Sequence, residues 1–335
     1  MGFHLAVDGG NSKTVAVVVD GSGAVVGRGR SGCCDIYATE TPEEGAAAVV
    51  EAAERALSEA GQSTVDGAAF RLASCDWPED IEWWTSQLQA RLSSVAALAP
   101  QRLQVGNDSL SSLRLGDLDG VGISVVVGTG PAVGARSSTG REAWSGVWIF
   151  DSLGGIGMSD LAMAAVAKEW LGIGPKTALT GAMLDLFGEP DVWRLTHGFR
   201  RRFGARNPTE LRRATRTVMQ VAAEGDPVAR RLVAEQGELF ADYAEAIAGQ
   251  AGIATADGAR VVVNGSIATS SVGVVREALL HSLSRRFPNS QVTVADGPPI
   301  AGVALDALAA GGAPLSGALR DTLCTATHPD WFLTT

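Results

Sequence analysis

Long hydrophobic runs are absent from the sequence, and no segment approaches the roughly 18 apolar residues that a membrane-spanning helix needs. The N-terminal stretch also lacks a basic region followed by a long apolar segment, so we expect no signal peptide and a cytoplasmic protein. Positive charge is in deficit, since the formal net charge is −10. This balance repels phosphate backbones and anionic membranes, so we expect neither nucleic acid nor a membrane as a partner.

Cysteine and histidine are scarce, with four of each in 335 residues. The spacing of the cysteines matches no zinc site, redox pair or disulfide framework, so we expect reduced thiols. With only 13 prolines and 46% hydrophobic residues, the chain is too apolar for disorder, and its length favours two packed domains. Glycine, by contrast, is abundant at 41 residues, which predicts many tight turns or close backbone approaches.

The first half of the sequence predicts three short antiparallel strands followed by alternating helices and strands. Thr41 as the N-cap, Pro42 at the first helical position and Glu44 three residues after the cap predict a helix start. Gly61 predicts the end of that helix. The predicted strands cover residues 4–7, 15–20, 25–27, 68–73 and 103–105, and a second helix covers 78–97.

The second half of the sequence repeats this order around a long helical insertion over about residues 160–250. The repetition predicts an α/β fold of two similar domains, each of order βββαβαβα, with a ligand cleft between them. The polar stretch 116–120 marks the boundary between domains 1–118 and 119–335, with the helix at 299–311 as a candidate addition to the first. Strands are predicted at 121–127, 132–136, 142–144, 260–263 and 291–294, and helices at 272–286 and 300–310.

The strongest local motif joins the first two predicted strands. Its glycines allow a tight backbone turn that aims N–H groups at an anion, and its polar side chains add further donors, which suits a polyphosphate. Asp8, at the end of a buried strand, could hold a hydrated Mg²⁺. A plain polar hairpin is the alternative interpretation. The loop after Asp8 consists of Gly9, Gly10, Asn11, Ser12, Lys13 and Thr14.

Two further glycine turns follow strands of the second half. Gly128, Thr129 and Gly130 come directly after the first strand of that half, at the place equivalent to the first motif. Two phosphate-type turns at equivalent places favour a shared ligand over two unrelated hairpins. The turn that contains Gly265 and Ser266 precedes a helix, and glycine there would let a flat base or ribose approach the backbone.

Asp108 ends the last predicted strand of the first half, where it would lie at the floor of the cleft. A carboxylate at that position could accept the proton of a substrate hydroxyl as that hydroxyl attacks a γ-phosphoryl group. The alternative is that Asp108 caps a helix that begins at Ser109.

These motifs, together with the C-terminal segment PPIAGVALDAL, resemble in type and order those of the ASKHA superfamily of acetate and sugar kinases, heat-shock chaperone ATPases and actin. The resemblance covers residues 3–311 and is closest to the BadF/BadG/BcrA/BcrD ATPase group, which includes N-acetylglucosamine kinase. It implies two RNase H-like domains of the actin and hexokinase type, with ATP and Mg²⁺ as cofactors, a sugar as substrate and a homodimer as the assembly.

The resemblance also implies roles for single residues. Asp8 would organise Mg²⁺ and Asp108 would be the base. Asp35 is the polar residue nearest to the position after the third strand that contacts the sugar in such kinases. The nucleotide would be bound by the residues of three turns: Gly10 to Thr14 for the β- and γ-phosphates, Gly128 to Gly130 for the second phosphate loop, and Gly265 with Ser266 for adenosine.

The sequence departs from this family at one important position. Residues 154–158 read Gly-Gly-Ile-Gly-Met, where sugar kinases of the group usually have Gly-Asp-Glu-Gly-Ser, so the acidic sugar contact is missing. Asp151 or Asp160 could substitute from a neighbouring position, with Asp160 more simply a polar residue in the first turn of the helix that follows. Asn107 and Trp148 are further candidates for the substrate pocket. Pro131 stands where Ser is usual and removes one backbone donor.

The sequence thus predicts an ATP-dependent kinase that phosphorylates a hydroxyl of a sugar or amino sugar. The alternatives are a family ATPase that activates a partner enzyme and a sugar or nucleotide sensor with weak catalysis. The arginines of the helical insertion are expected to form a solvated face, with contact to an anionic ligand as the less favoured alternative. They are Arg200, Arg201, Arg202, Arg206, Arg212, Arg213 and Arg216.

Overall fold

The protein is described here by a computed structural model that covers residues 2–94, 96–254 and 258–334. Two five-stranded mixed sheets form its framework. The first contains β1 (Phe3–Gly9), β2 (Thr14–Asp20), β3 (Val25–Ser31), β4 (Gly67–Leu72) and β5 (Leu103–Asn107). The second contains β6 (Gly122–Val127), β7 (Pro131–Arg136), β8 (Glu142–Trp144), β9 (Arg260–Asn264) and β10 (Gln291–Val294).

Both sheets have the same topology, which confirms the repeat predicted from the sequence. The strand order is β3-β2-β1-β4-β5 in the first sheet and β8-β7-β6-β9-β10 in the second. In each, the first three strands form an antiparallel meander, and the last two run parallel to the first strand. Parallel strands need long crossover connections, which the helices supply. The predicted α/β class with two actin/hexokinase-type units is therefore observed.

Helices cover the faces of both sheets. In chain order they are α1 (Pro42–Ala60), α2 (Pro78–Leu92), α3 (Leu113–Gly116), α4 (Gly154–Trp170), α5 (Leu179–Phe187), α6 (Val192–Arg200), α7 (Ala214–Ala223), α8 (Pro227–Ala251), α9 (Val274–Arg286), α10 (Pro299–Ala310), α11 (Gly317–Cys324) and α12 (Asp330–Leu333). Short 3-10 helices occupy Pro100–Arg102, Asp108–Leu110, Gly146–Trp148 and Pro208–Arg213. None of the helices in the described part of the chain is both long and apolar enough to cross a membrane.

Three apolar cores hold these layers together. One lies between the first sheet and helices α1 and α2, and a second lies on the opposite face of that sheet under α10 and α11. The third joins the second sheet to the helices of the insertion. The C-terminal segment thus packs on the first sheet, and Phe332 of α12 is fully buried there.

The start of α1 differs in detail from the prediction. Pro42 and Gly61 take their predicted places, with Gly61 in the left-handed conformation at φ 62°. Thr41 has the extended backbone of a cap, but its side chain makes no capping hydrogen bond. The Glu44 carboxylate accepts from the backbone N–H of Glu40 instead. Proline pre-organises the first turn of this helix, so the helix forms without the predicted side-chain cap.

Candidate functional site

Strand register brings the first glycine loop and Asp108 to one edge of the first sheet. Gly9 at the end of β1 is paired with Leu72 at the end of β4, and Leu72 is paired with Asn107 at the end of β5. Because these three strands are parallel, their carboxyl ends meet at the same edge. The loop after Gly9 and the side chain of Asp108 therefore leave the sheet side by side, as a ligand site in an open α/β sheet requires.

The second sheet presents its glycine loop to the same space. A cleft of about 560 Å³ lies between the two sheets and is lined by residues of both loops and by Asp108. The expected residues that line it are Asp8, Gly9, Gly10, Asn11, Ser12, Lys13, Asp108, Thr129 and Gly130. The cleft also contacts six residues that were not predicted as site residues: Ser111, Val126, Ala132, Ile156, Arg212 and Pro299.

The first loop has backbone donors to offer to an anion. Its turn is closed by the N–H of Gly10, which donates to the carbonyl of Lys13 at 2.9 Å. Within the described residues, the N–H groups of Asn11, Ser12 and Lys13 donate to no protein acceptor. Unpaired N–H groups in a tight turn form a concave site for a phosphate oxygen. The sequence prediction for the backbone of this loop is therefore compatible with the structure.

Three side chains of the first loop are already engaged elsewhere. The Thr14 side chain is fully buried and donates to the carbonyl of Gly32 at 2.9 Å, so its expected phosphate contact stays a prediction. Asn11 donates to the Asp35 carboxylate at 2.7 Å. The Lys13 ammonium donates to the carbonyl of Leu333 in the C-terminal segment.

The start of α4 holds the second loop through backbone hydrogen bonds. The carbonyls of Gly128 and Thr129 accept from the N–H groups of Gly155 and Ile156, each at 3.0 Å. In the described part of the protein, the N–H groups of Thr129 and Gly130 have no hydrogen-bond acceptor. The first N–H groups of α4 therefore hold the loop, and the loop itself offers the free donors.

The third turn places its glycine against neighbouring backbone. Gly265 has φ 104°, and a Cβ there would lie 2.4 Å from the carbonyl oxygen of Val127. The close approach that glycine permits in the structure is to the protein's own backbone at Val127. Neither Gly265 nor Ser266 lines the cleft described above, so their place in an adenosine site stays a prediction.

Asp108 and Asp8 are two half-buried carboxyls close enough to influence each other. Burial, followed by the charges of Asp8, Asp76 and Asp35, raises the pKa of Asp108 from its ordinary value of 3.8 to about 7. Burial raises the pKa of Asp8 to about 6, against a lowering effect of Lys13. Such coupling is typical of acid–base and metal-binding sites.

Asn107 caps the short 3-10 helix Asp108–Leu110, and a backbone hydrogen bond from Ser109 also acts on the Asp108 carboxyl. The Asn107 Oδ1 accepts from the N–H of Ser109 at 3.0 Å, and its Nδ2 donates to the Cys75 carbonyl and to the Asp76 carboxylate. Asn107 is buried, and both of its donors are used. Asn107 therefore holds the backbone next to Asp108 in place, and its amide has no free N–H donor for a substrate.

The remaining substrate candidates are Asp35, Trp148 and Asp151, and each has different surroundings. Asp35 lies beside the cleft through its contact with Asn11, and its charge acts on Asp108. Trp148 is 57% exposed and makes an edge contact with Trp77, which precedes α2, with ring centroids 5.5 Å apart. Asp151 is exposed and accepts a hydrogen bond from the hydroxyl of Tyr243, and it does not line the cleft.

Asp76 is the acidic residue that the sequence analysis missed. It follows β4, accepts from Asn107 at 3.0 Å, and receives on its backbone carbonyl the indole N–H of Trp144 from the second sheet. Burial, then the charges of Asp80 and Asp35, raises its pKa. The signal that could have found it is its position after a strand parallel to β1. Nearby Ser74 is the only non-glycine residue of the described chain with positive φ, at 64°.

The described residues contain no group of three or more His, Cys, Asp or Glu side chains arranged to hold a metal ion. Mg²⁺ in phosphoryl-transfer sites is bound by one or two carboxylates, water and phosphate oxygens. Asp8 and Asp108 form no ion pair with any described side chain, and both line the cleft. Two half-buried carboxylates without a counter-ion fit a divalent cation that arrives with a nucleotide.

The fold and this cleft define an α/β protein of the actin and hexokinase type. The chain is 29% identical over 249 residues to an N-acetylmuramic acid/N-acetylglucosamine kinase of Clostridium acetobutylicum. The aligned residues cover 72% of this chain and 78% of that protein. No family model matches the chain. Its assignment to the BadF/BadG/BcrA/BcrD group therefore stays a prediction.

Solved structures give the same fold. A candidate N-acetylglucosamine kinase from Chromobacterium violaceum aligns with a TM-score of 0.62 at 22% identity, over 91% of this chain and 99% of that one. A ROK family glucokinase from Streptomyces griseus, in complex with glucose and AMPPNP, aligns with a TM-score of 0.55 at 18% identity, over 91% and 98% of the two chains. These relatives are sugar kinases, which supports the expectation of an enzyme of that kind.

Proposed function

We propose that this chain is an ATP-dependent sugar kinase that transfers the γ-phosphoryl group to a hydroxyl of a sugar or amino sugar. One observation carries the proposal: two glycine loops from equivalent places in two repeated sheets line a single cleft together with Asp108. Phosphoryl transfer needs positioning and charge neutralisation more than covalent chemistry. Free backbone N–H groups on opposite sides of a cleft would position the phosphates and help to offset their negative charge.

Asp108 is the proposed general base. Its carboxylate takes the proton of the acceptor hydroxyl while that oxygen bonds to the γ-phosphorus, and ADP leaves with the electron pair of the broken bond. The raised pKa of about 7 makes this carboxylate a better proton acceptor than an exposed aspartate. Asn107 and the short 3-10 helix Asp108–Leu110 keep the side chain at the cleft floor.

Asp8 is the residue that would hold Mg²⁺ with the nucleotide. The ion would neutralise phosphate charge, which is the chemistry that it supplies in phosphoryl transfer. The protein's own contribution is to keep Asp8 at the end of β1, where pairing with Val15 fixes its backbone beside the loop. Lys13 lies close enough to lower the pKa of Asp8 and supplies positive charge at the same edge.

The acceptor is proposed to bind near Asp35, Asp76 and Trp148, next to the first glycine loop, which Asp35 contacts through Asn11. The carboxylates would accept hydrogen bonds from sugar hydroxyls, and the exposed Trp148 ring would cover an apolar sugar face. The Clostridium relative is named for N-acetylmuramic acid and N-acetylglucosamine, so both belong in the substrate panel. Glucosamine and glucose are the further members.

The test is ADP release with Mg-ATP and this panel of sugars. We expect sugar-dependent ADP release from the parent protein, and a loss of about 10²- to 10⁴-fold in kcat for Asp108→Asn with nucleotide binding nearly intact. The exposed Asp160, outside the cleft, provides the matched control Asp160→Asn with unchanged turnover. Near-normal turnover of Asp108→Asn would contradict the base, and no release with any sugar would contradict the kinase.

The alternative of an iron–sulfur activator of a partner enzyme is not favoured by the cysteines. Cys34 and Cys75 are buried inside the first sheet's core, where burial raises the pKa of both thiols well above the ordinary value. A bridging cluster needs thiolates that reach the protein surface. No described feature favours the sensor alternative over catalysis.

A further inference from the structure

Arg212 lies in the helical insertion, far in sequence from both glycine loops, yet it lines the same cleft. It belongs to the 3-10 helix Pro208–Arg213, directly before α7. Its side chain is exposed and forms no ion pair with any described residue. Apart from Lys13, it is the only cationic side chain in the described lining of the cleft.

The other arginines of this segment have different surroundings. Arg206 pairs with Glu189 at 2.6 Å and donates to the Phe187 carbonyl at 2.9 Å, and Arg213 lies over the Phe187 ring at 5.8 Å. These contacts are structural. Arg212 is exposed, as expected for a solvated face, but it lies at the cleft and forms no ion pair with a described residue.

The backbone at Arg212 is anchored to the second glycine loop. The Thr215 Oγ1 is 2.8 Å from the carbonyl oxygens of both Arg212 and Gly155, and 3.0 Å from the Ser159 hydroxyl. Gly155 in turn donates to the Gly128 carbonyl. Hydrogen bonds thus run from the insertion to the loop that would hold phosphate.

Glycine at position 155 suits this close contact. A Cβ there would lie 3.0 Å from the Ile267 side chain and 3.1 Å from the Thr215 hydroxyl, so any other residue would crowd the anchoring hydrogen bonds.

Charge explains what Arg212 is suited to bind. The cleft contains the carboxylates of Asp8 and Asp108, which repel an anion, and the Lys13 ammonium is already hydrogen-bonded to Leu333. A nucleoside triphosphate needs cations beyond backbone N–H groups. A guanidinium is planar and always charged, and it binds two phosphate oxygens at once.

We propose that Arg212 is a nucleotide-binding residue whose guanidinium contacts the terminal phosphates of ATP, so that the helical insertion completes the nucleotide site. This inference rests on the proposed kinase function. It assigns the insertion a role in binding, since the anchoring through Thr215 and Gly155 sets the distance of Arg212 from the second loop.

Binding of AMPPNP, ADP and adenosine to Arg212→Ala tests the inference by calorimetry. We expect affinity for AMPPNP to fall about 10- to 100-fold, the effect of losing a charged hydrogen-bond pair, while affinity for adenosine stays unchanged. Arg212→Lys should recover part of the loss, because it keeps the charge without the bidentate geometry.

Arg216→Ala is the matched control, because this exposed arginine of α7 lies outside the cleft lining. Its affinity for all three ligands should equal that of the parent. Unchanged AMPPNP binding in Arg212→Ala, or equal weakening of AMPPNP and adenosine, would overturn the inference and leave the kinase proposal standing. Failure of the parent protein itself to bind AMPPNP would overturn both.

Discussion

At the scale of single residues, Asp108 combines a proposed catalytic role with a cost to stability. A carboxyl whose pKa is raised to about 7 in the folded protein binds its proton more tightly there than in the unfolded chain. The contribution of Asp108 to stability is therefore full at low pH and is lost as the pH rises from about 4 to about 7. Above that range the folded protein contains an uncompensated charge.

We predict that Asp108→Asn is more stable than the parent at pH 8 in the absence of nucleotide, and that the difference shrinks at pH 5. Thermal unfolding midpoints at the two pH values measure this, and a gain of a few degrees at pH 8 is the expected size. The exposed Asp160→Asn should show no such pH-dependent difference. A constant difference for Asp108→Asn would contradict the raised pKa.

The same ionisation predicts a pH dependence of catalysis. The base must be deprotonated, so kcat/KM should rise with pH through about 7 and then level off. Asp8, with a pKa raised to about 6, titrates beside Asp108, so the profile reports the pair of carboxyls. A profile measured with saturating Mg²⁺ that stays flat from pH 5 to 8 would argue against Asp108 as the base.

The site residues show where sequence reasoning succeeds and where it stops. Asp8, Gly10 and Asp108 follow apolar strand runs, and strand ends that share an edge can be predicted from such runs. The sequence could not single out Arg212 among the arginines of the insertion, because its place at the cleft depends on how that segment packs through the Thr215 hydroxyl. The buried environment of Thr14 was missed for a similar reason, since it depends on a carbonyl from the next loop.

At the scale of secondary-structure elements, strand positions were predicted closely where a strand is a short apolar run, as in β2 and β6, whereas the polar end of β3 was missed. The ends of helices were less predictable: α2 ends at Leu92, five residues before the predicted end, and Thr41 leaves its capping bond unmade. The division of the chain at residues 118 and 119 stays a prediction. Helix α10 packs on β1 and β4, and its place in the first domain likewise stays a prediction.

Gly265 joins β9 to the second glycine loop, and we predict that Gly265→Ala disturbs both. The added Cβ would meet the Val127 carbonyl oxygen at 2.4 Å, and φ is 104°. We expect destabilisation above the roughly 1 kcal/mol of left-handed strain alone, together with weaker AMPPNP binding. Gly312→Ala is the matched control, because Gly312 has φ 79° with open space around it. Chemical denaturation of both variants checks the difference.

At the scale of the whole molecule, a buried ionic network joins the two sheets. Asp306 of α10 binds Arg71 of β4 at 2.8 Å and Arg114 at 2.6 Å, and it lies 3.6 Å from Arg136 of β7. Arg136 also pairs with Glu142 of β8 at 2.7 Å. The sequence could not reveal this network, since Arg71 and Asp306 are 235 positions apart.

We predict that Asp306→Ala lowers the free energy of unfolding by about 3–5 kcal/mol, because it leaves buried guanidinium groups without their carboxylate. Asp321→Ala, which removes an exposed ion pair with Arg320, should cost at most about 1 kcal/mol. Urea denaturation of the two variants measures both values. Equal small losses would mean that water reaches the network and replaces Asp306.

The contact between Trp77 and Trp148 makes these two side chains an intrinsic fluorescence reporter. One indole belongs to the helix side of the first sheet and the other to the second sheet's long loop, and Trp148 is more than half exposed. Any rotation of one half against the other would change the spacing of these rings and the water around them. Intrinsic fluorescence, with Trp148→Phe as the blank, would then follow cleft closure in solution without a label.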